Sequence, residues 1–141
     1  MMNTLDRKVD GKTLLREQCY VCWMTPTDAA PPAGKTAADV RTEHFAYLRE
    51  LERSGVLFAA GPFVDEDGVR HGAGMLLIRA ATRAEAEKIA YAEPYTKAGM
   101  RAMALTPWQR NEGSLNLRIR FADGVVEIDN RTYSLGPPSS G

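Results

Sequence analysis

VLFAAGPFVDEDGVRHGAGMLLIR, residues 56–79, is the stretch that decides the fold. Val56-Leu57-Phe58-Ala59-Ala60 is rich in strand formers and runs into Gly61-Pro62-Phe63. Asp65-Glu66-Asp67-Gly68 is a turn by composition, because Asp and Gly tolerate the conformations a tight reversal needs. Residues 71–79 return as another strand, in which Met75-Leu76-Leu77-Ile78 reads as buried. Strand, glycine-containing turn and strand make a hairpin. A helical pattern lies on each side of it.

Upstream, residues 37–54 carry the clearest helical signal. Val40, His44, Tyr47, Leu48 and Leu51 recur at helical spacing, and most of the charged residues fall elsewhere on the helix. Gly55 is placed to stop it. Before it, Gln18 to Thr25 reads as a strand, followed by a Pro- and Gly-rich loop from Pro26 to Gly34. Downstream, Thr82-Arg83-Ala84-Glu85 is a capping box, a specific signal for a helix start. Ala86, Ile89, Ala90 and Glu93 continue at helical spacing, and Pro94 is expected to end that segment at Glu93. Tyr95 to Gly99 reads as a short irregular or helical turn. Residues 100–106 are expected as a further strand, closed by Pro107-Trp108, with Arg101, Met103 and Leu105 on one face.

The resulting order is β-α-β-β-α-β. This is an α+β, ferredoxin-like split βαβ fold: an antiparallel sheet with both helices on one face. The other face is bare and apolar, so a second copy or added structure is expected to cover it. A homodimer or higher homo-oligomer follows as the expectation.

The ends are less patterned. Residues 1–17 form an N-terminal extension, frayed or carrying a short helix around Lys12 to Glu17. Residues 109–135 form a C-terminal extension. In it Leu115-Asn116-Leu117-Arg118-Ile119-Arg120-Phe121 alternates cleanly, Ala122-Asp123-Gly124 turns, and Val125 to Ile128 returns, so an extra β-hairpin is expected. The tail, residues 136–141, has a Gly, Pro and Ser composition that predicts disorder.

Bulk composition removes several function classes. The chain has 141 residues, 18 Lys plus Arg against 18 Asp plus Glu, and a formal net charge of zero. That balance makes no electrostatic case for nucleic acid or an anionic membrane surface. No apolar run is long enough to span a bilayer, and residues 1–18 contain no apolar signal-peptide core, so a cytoplasmic protein is expected. Cys19 and Cys22 have redox or zinc spacing, but they sit among strand formers. Residues three apart in a strand point to opposite faces, so neither a disulfide nor a shared metal is expected. His44 and His71 are too far apart to complete a zinc motif. Gly72 and Gly74 lack the following helix of a dinucleotide fingerprint.

Two polar residues sit where apolar ones belong. His44 and Glu93 each fall on the apolar stripe of a predicted helix. A buried polar side chain without a partner costs roughly a few kcal/mol, so the two are expected to meet or to face one pocket.

Four segments also carry a family likeness. They are His44-Phe45-Ala46-Tyr47-Leu48, Gly55 through Pro62, Glu93-Pro94-Tyr95-Thr96-Lys97-Ala98-Gly99, and Pro107-Trp108. In this order and spacing, residues 18–108 resemble the YCII-related (YciI-like) family. The resemblance implies a dimeric α+β barrel in which two ferredoxin-like sheets pack face to face. It also implies a His–Asp pair, with His44 at the family histidine. Glu93 stands where the family usually has Asp, which adds one methylene and about 1.5 Å of reach. Better understood relatives act on chlorinated intermediates of aromatic breakdown, and related muconolactone isomerases share the barrel.

Two readings stand side by side at this point. In the first, the chain is a small-molecule enzyme working without a cofactor or metal. His44 is the acid or base, Glu93 orients it, and Arg41, Gly61, Pro62 and Tyr95 line the pocket for a small-molecule ligand. Lyase, dehydrochlorinase, isomerase and hydrolase chemistry all fit such a pair. In the second, the same cleft belongs to a non-catalytic binding or assembly module.

Overall fold

A computed structural model describes residues 4–9, 12–128, 131–134 and 136. It divides into two compact units, residues 1–111 and 112–141.

The first unit is built on one long strand. β2 runs over Lys12–Pro26, and its Tyr20, Cys22 and Met24 alternate onto the core face. β4 (Arg70–Arg79) pairs with it antiparallel on one side, with Cys22 opposite Leu76. β5 (Arg101–Arg110) pairs antiparallel on the other, with Cys22 opposite Leu105. β3 (Leu57–Val64) adds to the outer edge of β4. The spatial order is thus β3-β4-β2-β5, all antiparallel, which is the ferredoxin-like arrangement.

β1 (Thr4–Val9) pairs with the first half of β2, from Thr4 opposite Glu17 to Val9 opposite Lys12. Since β5 already occupies the other side at Glu17, β1 and β4 follow one another along the same edge of β2. The short helix expected at Lys12–Glu17 is therefore a strand. It pairs with the strand immediately before it, and the sequence cue is the Asp10-Gly11 dipeptide, a hairpin signal.

α1 spans Ala37–Arg53 and starts in a closed capping box, in which Thr36 and Asp39 each accept from the other's backbone N–H. Ser54 caps its end and Gly55 follows in the left-handed region, as its position predicted. α2 covers Arg83–Tyr91. Thr82 accepts from the Glu85 amide, while the Glu85 carboxylate takes the Ala81 amide rather than that of Thr82. Both helices lie on one face of the sheet. Ala86 and Ala90 of α2 pack with Tyr20, Cys22, Ile78 and Leu105, and Leu48 of α1 packs against the same cluster. Tyr47 of α1 donates to the Ile89 carbonyl of α2 at 2.7 Å.

Strand ends differ from the sequence reading at two prolines. β3 continues through Gly61-Pro62-Phe63, and β5 continues through Pro107-Trp108 to Arg110. Proline lacks the N–H of a ladder bond and is tolerated where that side of the strand has no partner. Both strands lie at the edges of this sheet, and the register shifts between Pro62 and Val64.

Among the described residues, the helices that pack on this sheet share one face, and the other carries none. Trp23 and Phe63 stack on it with centroids 5.7 Å apart, and the Trp23 indole donates to Thr106 Oγ1 at 3.1 Å. Glu17 is buried at its end, paired with Arg79. The Arg110 guanidinium lies 2.6 Å from Glu17 Oε2, near in charge but not aligned as a hydrogen bond.

The second unit is a small antiparallel meander. β6 (Leu117–Arg120) and β7 (Val125–Ile128) form the expected hairpin, and β8 (Arg131–Ser134) adds a strand that alternation did not signal. Residues 137–141 of the tail lie outside the described residues.

Candidate active site

His44 lies on the buried stripe of α1 with Val40 and Leu51. Glu93 does not lie on α2, which stops at Tyr91. Pro94 is disfavoured after a helical residue, and Glu93 accordingly takes extended backbone angles (φ −63°, ψ 129°). It is the N-cap of a one-turn helix, α3 (Pro94–Lys97), packed against α1. The expectation that it sits on a helical stripe is corrected, and the reason it is inward is its capping role.

The two side chains meet. His44 Nδ1 is 2.6 Å from Glu93 Oε1. Glu93 is fully buried and His44 nearly so. The carboxylate accepts three further hydrogen bonds: the Tyr95 amide at 3.0 Å, the Thr96 amide at 2.9 Å and the Thr96 hydroxyl at 2.9 Å. Burial is the largest single influence on this carboxyl and pushes its pKa up. The bonds from His44, Tyr95 and Thr96 together outweigh it and hold the group below its ordinary value. Glu93 is thus an ionised acceptor with every lone-pair direction used. It takes Nδ1–H from His44, so the imidazole's lone pair sits on Nε2.

His44 lines a cavity of about 380 Å³ between α1 and the β3–β4 edge. That is at the small end of ligand sites, which run roughly 300–1,000 Å³. Each residue expected to line a pocket does so: Arg41, Gly61, Pro62 and Tyr95. Glu93 stands behind His44 and does not itself line the cavity. The Tyr95 ring packs against the imidazole at 4.9 Å, and the Arg101 guanidinium lies 4.1 Å above the Tyr95 ring.

The sequence reading missed Arg70, Arg101, Gly72 and Gly74 in the lining. In sequence, Gly74 stands out only by its spacing from Gly72. A Cβ there would stand 2.8 Å from the Gly61 carbonyl oxygen and 3.2 Å from Pro62 Cα. Glycine therefore lets β3 and β4 close up under the cavity. Arg101 sat in a strand whose alternation was weak on both faces, and only its place at the strand's start marks it.

The cysteines take no part. Both are buried and unpaired, with Cys22 on the core face, and burial pushes the Cys22 thiol up to about 12. His71 Nε2 is bonded to Asp65 at 2.7 Å on the exposed turn. Among the described residues, no group of three or more His, Cys, Asp or Glu side chains is gathered as for a metal ion. No helix among them is long and apolar enough to cross a membrane.

The family model described as the YCII-related domain matches residues 19–109, well over half of the chain. Among solved structures, the chain is similar to 5-chloro-2-hydroxyhydroquinone dehydrochlorinase from Burkholderia phenoliruptrix AC1100 in complex with 2,5-dihydroxybenzoquinone. The likeness has 21% identity, covers 64% of this chain and 92% of that one, and has a TM-score of 0.49. No curated protein sequence matches.

Proposed function

This chain belongs to the YCII-related family, and on that premise we propose that it is a small-molecule enzyme using His44 and Glu93 as a cofactor-free acid–base pair. The observation that carries the reading is the buried 2.6 Å contact between His44 Nδ1 and a carboxylate kept ionised by three more donors, with the imidazole at a cavity wall.

The chemistry follows from that geometry. Nε2 takes a proton from substrate carbon or from a hydroxyl or water. The bond's electron pair stays on the atom that lost the proton: on carbon it forms an enolate-type anion or expels a leaving group, and on a hydroxyl or water oxygen it attacks a carbonyl. Glu93 stabilises the imidazolium that results, as a carboxylate does behind a catalytic histidine. The imidazolium then returns the proton to substrate or leaving group. Elimination, isomerisation and hydrolysis are all variants of this sequence. Arg41, Tyr95 and the Gly61-Pro62 backbone hold the substrate.

We also propose that two copies pack their open sheet faces together, with Trp23 and Phe63 at the contact. Both are large aromatic side chains about two-fifths exposed, and they stack together on that face.

Two measurements test the acid–base reading. Imidazole ¹⁵N NMR should find His44 protonated at Nδ1 and bare at Nε2, and Glu93→Gln should abolish that preference. Wild type should then turn over at least one member of a panel of small lactones and halogenated organic compounds, with solvent deuterium entering carbon where the reaction is an isomerisation. His44→Ala should lower that rate about 10²–10⁴-fold. If His44→Ala loses stability but keeps ligand affinity, and no panel member reacts, the cleft is a non-catalytic binding site.

A further inference from the structure

The cavity beside His44 has a charge pattern that the acid–base pair does not account for. Arg41 enters from α1, Arg70 from the start of β4 and Arg101 from the start of β5, and no Asp or Glu lines the cavity with them. The chain as a whole is charge-balanced at 18 against 18, so this is a local concentration of one sign. Among the described residues, none of the three arginines makes an ion pair. The nearest buried carboxylate, Glu93, has its lone pairs committed to His44, Tyr95 and Thr96. The Arg101 guanidinium carbon lies 4.1 Å from the centre of the Tyr95 ring, a cation–π contact that uses none of its N–H donors on an acceptor atom.

The remaining wall is apolar: Met24, Phe45, Leu48, Met75 and Leu76. A concave surface of low polarity focuses the field of the guanidinium groups on whatever fills it. Arginine in such a setting matches a planar carboxylate through two parallel N–H···O bonds.

We propose that this cavity takes a small organic acid, with its carboxylate on Arg41, Arg70 and Arg101 and its apolar body against the Met24–Leu76 wall, next to His44 Nε2. The proposal rests on the reading of the cavity as the substrate site and names the class of substrate.

The test is binding of a panel of small aromatic and aliphatic carboxylates to the full chain, each matched with its uncharged amide, followed by calorimetry and by NMR of the Tyr95 and His44 rings. Inorganic phosphate is included as a second anion. Acids should bind and shift both rings, and the amides should bind at least about tenfold more weakly. Arg41→Gln, Arg70→Gln and Arg101→Gln should each weaken the acids by about tenfold or more, the usual scale of a charged hydrogen bond, and leave the amides unchanged. Arg49→Gln, on α1 but outside this cavity, should change nothing. Raising salt should weaken the acids alone.

Amides binding as tightly as acids, arginine replacements within about twofold of wild type, no acid binding, or binding of phosphate alone would each overturn the proposal. His44→Gln separates the two readings. Acids that still bind this variant while the His44–Glu93 pair proves uncoupled in wild type would sink the acid–base mechanism and leave the anion site standing. A coupled pair with no acid binding would do the reverse.

Discussion

His44 and Glu93, 49 residues apart in sequence, share a buried hydrogen bond of 2.6 Å in which every oxygen lone pair of the carboxylate is engaged. The glutamate therefore does two jobs. It starts α3 as its N-cap, and it sets the imidazole's tautomer. Removing it affects both.

Glu93→Ala should destabilise the protein by about 3–5 kcal/mol, because it strands a buried imidazole N–H and two backbone amides. Glu93→Asp should recover part of that, since the shorter side chain can still cap. Equilibrium urea unfolding with an unchanged slope checks both.

The same bonds make stability depend on acid pH. Glu93 titrates below its ordinary value of 4.5 in the folded protein. A depressed carboxyl contributes stability above the unfolded pKa and loses it as pH falls through the folded one. Unfolding free energy should thus decline below about pH 4.5, and Glu93→Gln should show a shallower decline. An equally steep decline in the variant would mean that other carboxyls carry the effect.

Gly74→Ala should cost about 1–3 kcal/mol and narrow the cavity. Its Cβ would meet backbone atoms of Gly61 and Pro62, which cannot rotate away. Thermal unfolding and ligand binding should both fall. A ligand affinity equal to wild type would show that β3 moves aside without affecting the site.

Cys22 should resist iodoacetamide at pH 8 in the native state and react once the chain is unfolded, because burial holds its thiol near 12 and it is wholly inaccessible. Mass spectrometry of the labelled peptide decides it. Cys22→Ala should retain turnover, and a variant that folds but loses all activity would count against the mechanism proposed here.

Trp23→Arg places a charge on the open sheet face beside Phe63. If two copies meet there, sedimentation of the variant should shift toward the monomer while its far-ultraviolet spectrum stays native. A wild-type protein that is monomeric at micromolar concentration would remove the dimer proposal.

The periodicity of the two long helices and the apolar runs of the first strands were enough to read the β-α-β-β-α-β order, while the last strand, weakly alternating, was placed partly by its position in that order. The pocket residues Arg41, Gly61, Pro62 and Tyr95 were legible for another reason. Gly61, Pro62 and Tyr95 lie inside the segments of family likeness, and Arg41 stands one helical turn before His44. Arg70 and Arg101 were not legible, since an arginine at a strand end has the same local pattern whether it faces solvent or a cavity. Strand β1 was missed because its pairing with β2 is a contact between segments and not a property of either. The prolines misled the strand ends because an edge position, which spares Pro62 and Pro107 a ladder bond, exists only once the strand order is known.

The sequence by itself determined which residues were anomalous. A histidine and a glutamate on predicted apolar stripes implied that the two would meet or face one pocket, because burial without a partner is costly. Tertiary structure decided how they partner. The break at Pro94 turned Glu93 from a helix face into a helix cap, and that turn is what aims its carboxylate at His44. The fold also brought three arginines, from α1, β4 and β5, into the lining of the cavity that His44 lines. No local pattern encodes that convergence, because it arises only when the sheet order places those three segment ends together.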